Sequence, residues 1–388
     1  MDYDVIIIGG GASGLICAIE AGRRGRKAAI LEHSPKIGQK ILISGGGRCN
    51  FTNLNISSKN YSSSNPDFCR SALARFTPEH FTALLDKHRI KFYEKEMGQL
   101  FCERSSKEIV SMLKAECEKS GVKILLDCKV KSITKHNKFS LETGHGEFSA
   151  ASLVIATGGL SYKDLGASDF GYATAKQFGH SIVRCRPSLV PLVFSKTARP
   201  RFSGLSGMSL NVSAGFKNRT FKGGMLFTRK GLSGPAILQT SLAWDGKNAV
   251  IIDLLPDLDI LTAMKEAKCS GCKIILKNYL GRFLPNRLAS ALVDNESKRL
   301  CDISGHELAG IADKLHNWEI KPAGTEGYDV AEVTAGGIDT NEISSKTFES
   351  KKINGLYLIG EVLDVTGELG GYNLHWAWAS GFAAGQFT

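Results

Sequence analysis

The stretch YDVIIIGGGASG, from Tyr3 to Gly14, restricts the fold more than any other part of the chain. Val5 to Ile8 form an unbroken apolar run, the mark of a strand buried on both faces. Gly9, Gly11 and Gly14 then give GxGxxG, and Leu15, Ala18, Ile19 and Gly22 follow at helical spacing. The glycines therefore fall at a strand-to-helix turn. Gly9 permits the tight turn, Gly11 lets a pyrophosphate approach the backbone, and Gly14 lets helix and strand pack closely. Ala12 and Ser13 lie in the first helical turn, whose free N–H groups and partial positive charge suit phosphate. A second apolar run, Ala28 to Leu31, ends in Glu32 and His33. The Glu32 carboxylate can accept both hydroxyls of an adenosine ribose, which favours FAD or NAD over NADP. This stretch does not choose between those two.

With 388 residues, two or three domains are expected. A hydrophobic fraction of 43% and a charged fraction of 22% are those of a globular protein. The longest apolar runs are too short to span a membrane, and Met1-Asp2 leads straight into a strand without a secretory pattern. A cytoplasmic protein is expected. The 10 cysteines lack regular spacing and read as reduced thiols. Cys269 and Cys272 form a lone CxxC without the second pair a zinc site needs, so no metal is expected. The net charge of +11 reads as a basic surface with attraction for phosphate-bearing cofactors. The cations form no tract and alternate with no aromatics, so a small-molecule substrate is expected rather than a nucleic acid.

After Glu32 comes IGQKILISGGGRCNFTN, residues 37–53. Gly45, Gly46 and Gly47, flanked by Ser44, Arg48, Cys49 and Asn50, read as a loop that wraps a ligand closely, with Lys40 and Arg48 adding charge beside a pyrophosphate. Cys49 lacks the second cysteine of a CxxxxC redox pair, since Leu54 stands there, and reads as a packed thiol. Thr77-Pro78-Glu79 starts a helix to about His88. Ser105 and Glu108 form an expected capping box for a second helix, ended by Gly121. Val122–Leu126, Val130–Ile133, Phe139–Glu142 and Glu147–Ser149 read as short strands with a β-meander among them. Leu153–Ala156 then runs into Thr157-Gly158-Gly159, a second close backbone approach. From Pro187 the pattern turns to short β pieces, then to helices after Asp257, with a capping box at Ser304 and Glu307.

The last 35 residues or so decide between FAD and NAD. Leu356–Ile359 is a buried strand followed by Gly360-Glu361, Asp364 and Gly370-Gly371-Tyr372-Asn373-Leu374, which open a helix of small residues. An acid just past a strand can bond ribityl hydroxyls. A glycine-led helix N-terminus can aim N–H groups at the flavin N1/C2=O edge, where negative charge appears on reduction. NAD has no ribityl chain and needs no such closure.

The motifs GxGxxG with Glu32, ISGGGRCNFTN, ATGGLSY at 156–162, GMLFTRKGLSGPA at 224–236, VTAGGI at 333–338 and GEVLDVTGELGGYNLHWAWASG at 360–381 run from end to end. In them the chain resembles the bacterial BaiN/RdsA-type NAD(P)/FAD-dependent oxidoreductases. His375 stands where similar sequences often carry Gln. The resemblance implies an α/β chain: a Rossmann-like FAD-binding domain with a β-meander, interrupted by a β-barrel-like domain and a helical subdomain. The expected boundaries are 1–187 with 349–388 for FAD, 188–255 with 327–348 for the β-rich piece, and 256–326 for the helical insertion. Val130 joins the expected cofactor contacts.

The expected activity is hydride transfer through flavin N5 to an organic acceptor such as an enone, with NAD(P)H as transient donor. There is no second GxGxxG-plus-acid unit to hold that donor. The expected proton donors are Tyr372, His375 and Tyr162. Two other readings stay open: an FAD-dependent RNA-modifying enzyme, and a flavin-binding redox sensor without catalysis.

Overall fold

A computed structural model describes residues 1–293 and 297–388; residues 294–296 of the piece expected to be helical lie outside the described residues. Apolar runs set the first sheet. β1 (Asp2–Ile8) lies between β2 (Ala28–Leu31) and the long strand that follows the meander, pairing in parallel with both. β3 (Lys123–Leu125) extends the sheet beyond β2. The meander is β4 (Val130–Lys135), β5 (Phe139–Thr143) and β6 (Gly146–Ile155). The two strands expected at Glu147–Ser149 and Leu153–Ala156 are thus one ten-residue strand. Its first half forms a hairpin with β5, and its second half pairs in parallel with β7 (Leu356–Leu358). One strand carries both partners because hairpin registry ends at Ala150 and the parallel ladder begins at Leu153.

Helix α1 (Ala12–Arg23) follows β1, and α2 (Tyr372–Gly385) closes the chain. These two helices pack at very short range. A Cβ on Gly381 would lie 2.3 Å from the Ser13 carbonyl oxygen, and one on Gly385 2.8 Å from that of Cys17. Only glycine allows such backbone approach, so the sequence of α2 draws the end of the chain onto its beginning. Trp376 Nε1 donates to the Gly360 carbonyl (3.1 Å), and Trp378 Nε1 donates to that of Phe51 (2.9 Å).

The chain divides into two compact units, residues 1–187 with 332–388 and residues 188–331. Residues 332–348, expected with the β-rich piece, fall in the first unit. The strand Val333–Ile338 is wholly buried there and pairs with Ile182–Ser188. The second unit is a seven-stranded antiparallel sheet with helices on one shared core. Its outermost strands, Trp318–Ile320 and Gly324–Thr325, are consecutive in the chain. A flat sheet would hold them roughly 29 Å apart, whereas the link between them spans at most roughly 15 Å. The sheet must curl round, which gives the expected barrel-like form. Leu276, Leu288 and Leu308 from the helices share a core with Val212 and Ile252 from the strands, so the helical piece makes no third unit.

Candidate functional site

Gly9 sits at φ 111°, where a Cβ would lie 2.4 Å from the Ala156 carbonyl oxygen, and one on Gly14 would lie 2.0 Å from that of Gly9. At Gly11 nothing lies within 4 Å of that position. The outer two glycines are therefore required by packing, while the middle one faces open space with Ala12 beside it, at the start of α1. The first N–H groups of α1 have no acceptor within the helix.

Glu32, at the end of β2, is buried, and both its oxygens are oriented by backbone. Oε2 accepts from Gly10 N–H (2.7 Å) and Oε1 from Ser34 N–H (2.8 Å), with His33 Nδ1 3.1 Å away. Each oxygen keeps a lone pair for a further donor. His33 is half-exposed and packs against Gly166. Val130 is buried at the start of β4, and Cys128 N–H donates to the Glu32 carbonyl.

The stretch expected to be an open loop begins as a helix at Gln39 and breaks at Ser44. Gly45 and Gly46 are both left-handed there, at φ 57° and 65°. The Ser44 hydroxyl donates to the Ile41 carbonyl. Gly45 packs on Phe101, whereas Gly46 and Gly47 face open space. Cys49 is fully buried, and burial pushes its thiol up to about 12, so it is an inert packed thiol. Arg48 reaches toward Tyr93, with Nη1 3.4 Å from its hydroxyl.

Lys40 Nζ donates to Glu361 Oε2 at 2.7 Å, while Oε1 of the same carboxylate accepts from Thr334 N–H at 2.9 Å. Thr334 Oγ1 accepts from Leu160 N–H (2.8 Å), and Gly159 leaves just enough room for this threonine. The three segments after β2, β6 and β7 are thereby tied together. Gly360 packs directly over Ser13. Gly158, at φ 72°, faces open space, and the Thr157 hydroxyl is buried without a partner among the described residues. Thr334 was missed in the sequence, where VTAGGI carried only a family likeness and no assigned role.

At the other end, Gly371 packs on the Thr52 carbonyl and Gly370 on Gln99, while Asn53 Nδ2 donates to the Gly370 carbonyl (2.9 Å). The Asn50 amide lies 3.1 Å from both Gly371 N–H and the Gln99 amide. Asn373 is spent on the turn: Oδ1 accepts from Gly367 N–H and Nδ2 donates to the Gly367 and Glu368 carbonyls. Leu374 is half-buried behind it. The first amides of α2, at Tyr372, Asn373 and Leu374, have no intrahelical acceptor. Asp364 is buried, and its Oδ2 accepts from both the N–H and the hydroxyl of Ser64, so this oxygen holds a loop.

Of the three expected proton donors, His375 is misassigned. It has no exposed surface, and its Nε2–H donates to the Phe76 carbonyl while Nδ1 accepts from the Thr52 hydroxyl (2.7 Å). Burial pushes its pKa down to about 4, which leaves the ring neutral and enclosed. It positions the Asn50–Asn53 strand on α2. Tyr372 is buried edge-on against Tyr61, and Tyr162 holds a left-handed backbone at φ 63°. Burial, and then the Glu332 carboxylate, push the Tyr162 phenol up to about 12. Lys40 Nζ stands 6.0 Å from the Tyr162 ring centroid.

The parallel sheet, the glycine turn with its oriented acid and the open backbone beyond define a Rossmann-type dinucleotide-binding protein. The chain belongs to the HI0933-like protein Rossmann domain family, which matches residues 3–387, and this is a family of flavoprotein oxidoreductases. It is 46% identical over 391 residues to an Escherichia coli protein named ribosomal RNA dihydrouridine synthase, across 99% of this chain and 97% of the relative. A Haemophilus influenzae protein of the same name is 45% identical over 387 residues, covering 97% and 96%. The 3-dehydro-bile acid delta(4,6)-reductase of Clostridium scindens is 32% identical over 420 residues, covering 98% and 97%. The names of the first two run against the expectation of no nucleic-acid partner. Among the described residues no helix is long and apolar enough to cross a membrane.

Proposed function

We propose that this protein is an FAD-dependent reductase of a carbon–carbon double bond conjugated to a carbonyl, and that its acceptor is a uracil base in ribosomal RNA. The observation that carries the reading is the end-to-end identity of 45% and 46% with two proteins named for dihydrouridine formation in ribosomal RNA. The bile-acid reductase, at 32%, supports the shared chemistry: uracil C5=C6 is conjugated to C4=O as a dienone is to its ketone.

The cradle fits FAD. Gly11 and the first amides of α1 take the pyrophosphate, and Glu32, already oriented by Gly10 and Ser34, takes the adenosine ribose. Gly46, Gly47 and Gly158 leave backbone open to the middle of the cofactor. The first amides of α2, led by Gly370-Gly371, take the pyrimidine edge of the isoalloxazine. FAD bound there would supply the hydride chemistry for a double bond conjugated to a carbonyl. The carbon α to the carbonyl then needs a proton, and Tyr162 and Tyr372 each hold one on a phenol oxygen that makes no hydrogen bond among the described residues. NAD(P)H is the proposed donor of electrons, docking transiently.

The test uses ribosomal RNA from a strain lacking this gene, incubated with the FAD-loaded protein and NADH or NADPH. Dihydrouridine is then measured by mass spectrometry of the digested RNA. A new dihydrouridine at one site is the expected result. Absence of dihydrouridine, with reduction of a steroid dienone by the same preparation, would move the protein to the small-molecule reductases.

A further inference from the structure

The cations of this chain form no long tract, but the acids are absent from two long stretches. From Phe170 to Trp244 there are 11 Lys and Arg residues and no Asp or Glu. A second acid-free stretch, Ala267 to Val293, carries 5 more cations. The second compact unit brings these two stretches together. Arg201 Nε donates to the Ala291 carbonyl (2.6 Å), and Arg287 Nη1 donates to that of Gly204 (3.1 Å). The turn at Arg199–Leu205 is thus clamped to the helix Asn286–Leu292. Around this clamp Lys196, Arg199, Arg201, Arg282 and Arg287 are all exposed. Phe283, between two of these arginines, is 38% exposed although it is a large apolar ring, and it meets Tyr279 edge-on at 5.7 Å.

We infer that this basic face of the second unit is where the protein grips RNA, outside the dinucleotide cradle of the first unit. The inference rests on the ribosomal-RNA reading above. Arginines with no carboxylate partner among the described residues offer planar donors to phosphate oxygens, and an exposed ring among them offers a platform for an unpaired base. Arg201 spends Nε and Nη2 on the Ala291 and Leu292 carbonyls and Arg287 spends Nη1 on that of Gly204, which fixes their guanidinium groups in place and leaves other N–H groups for phosphate. Lys196, Arg199 and Arg282 make no hydrogen bond or ion pair through their side chains among the described residues and are the cations that can be removed without loosening the clamp.

The experiment is filter binding of unmodified 16S and 23S ribosomal RNA transcripts to the FAD-loaded protein across a KCl series. The variant combines Lys196→Gln, Arg199→Gln and Arg282→Gln. A control combines Lys107→Gln, Lys119→Gln and Lys123→Gln in the first unit. Neutralising one phosphate-binding cation should lower the log–log salt slope by roughly 0.7–0.9. The first variant should therefore drop by roughly 2–3 units of slope and bind about 10- to 100-fold more weakly at low salt. Its flavin absorbance and its melting temperature should stay as in the parent, and the control should bind like the parent. Parent-like affinity and slope in the first variant, with tight binding by the parent, would overturn this face as the grip and leave the proposed function standing. No binding by the parent at any salt would overturn both.

Discussion

At the scale of single residues, the site separates groups that hold protons from groups that hold geometry. His375 belongs to the second kind, and its burial has a pH signature. Its folded pKa of about 4 lies below the ordinary histidine value, so between about pH 4 and 6.5 the unfolded chain takes up a proton that the folded chain refuses. Acid therefore favours unfolding in this window, and stability rises with pH through it. The contribution is on the order of 3 kcal/mol if the ring stays fully enclosed. His375→Gln should flatten the rise, as urea melts at pH 4.5 and 7 would show; an equal pH dependence in both proteins would mean that the ring gains a proton in the fold. Tyr162 and Tyr372 are the proposed members of the first kind. Tyr162→Phe and Tyr372→Phe should both keep FAD, and loss of the true donor should lower turnover about 10²- to 10⁴-fold. Whichever variant turns over like the parent carries no proton in the reaction. Position 375 illustrates what a sequence conceals: its place in the closing helix was legible, but the two partners that enclose it lie some 300 residues upstream.

At the scale of elements, what was readable depended on how local the cause was. β1, α1 and β2 are dictated by neighbouring residues, and so are the helix Pro78–Lys87 with proline at its start and the Ser304–Glu307 box. The box expected at Ser105 forms only in part, because Ser105 caps Lys107 N–H while Glu108 Oε2 is buried without a partner among the described residues. Val333–Ile338 was placed with the wrong unit because its pairing partner is Ile182–Ser188, on the far side of the insertion. The contact that most decides the site is α1 against α2, and it depends on two glycines whose small size is visible in sequence but whose neighbours are not. Gly381→Val would force side-chain atoms toward the Ser13 backbone, which cannot yield as a flexible side chain could. A cost of about 3 kcal/mol is expected, or roughly 6–12 °C in the melting temperature of a unit this size, with weaker FAD binding in titration. Gly310→Ala is the counterpart: Gly310 is exposed in the helix Gly305–His316 with nothing within 4 Å, so alanine should stabilise by about 0.5–1 kcal/mol. Equal effects from the two changes would show that the helices are not in close contact.

At the scale of the whole molecule, the chain builds two cores, and the proposed ligands divide between them. The fold class was legible because the glycine turn and the closing helix announce themselves at opposite ends of the sequence. The basic face was not, since it arises from missing acids in two separated stretches that only tertiary contacts unite. Tryptophan placement makes the division measurable. Trp376 and Trp378 lie in α2, buried and hydrogen-bonded to Gly360 and Phe51, while Trp244 and Trp318 lie in the second core. A ligand that binds only the folded state stabilises what it touches, by about 2.7 kcal/mol at a hundred times its dissociation constant. In a Trp244→Phe/Trp318→Phe variant, fluorescence reports α2 alone. Adding FAD to the apoprotein should raise that melting temperature by several degrees and quench the signal, because the proposed flavin cradle includes the first turn of the same helix. A transition in α2 that ignores FAD would place the flavin elsewhere and remove the reason for reading Gly370-Gly371 as its cradle, even if the protein remained yellow.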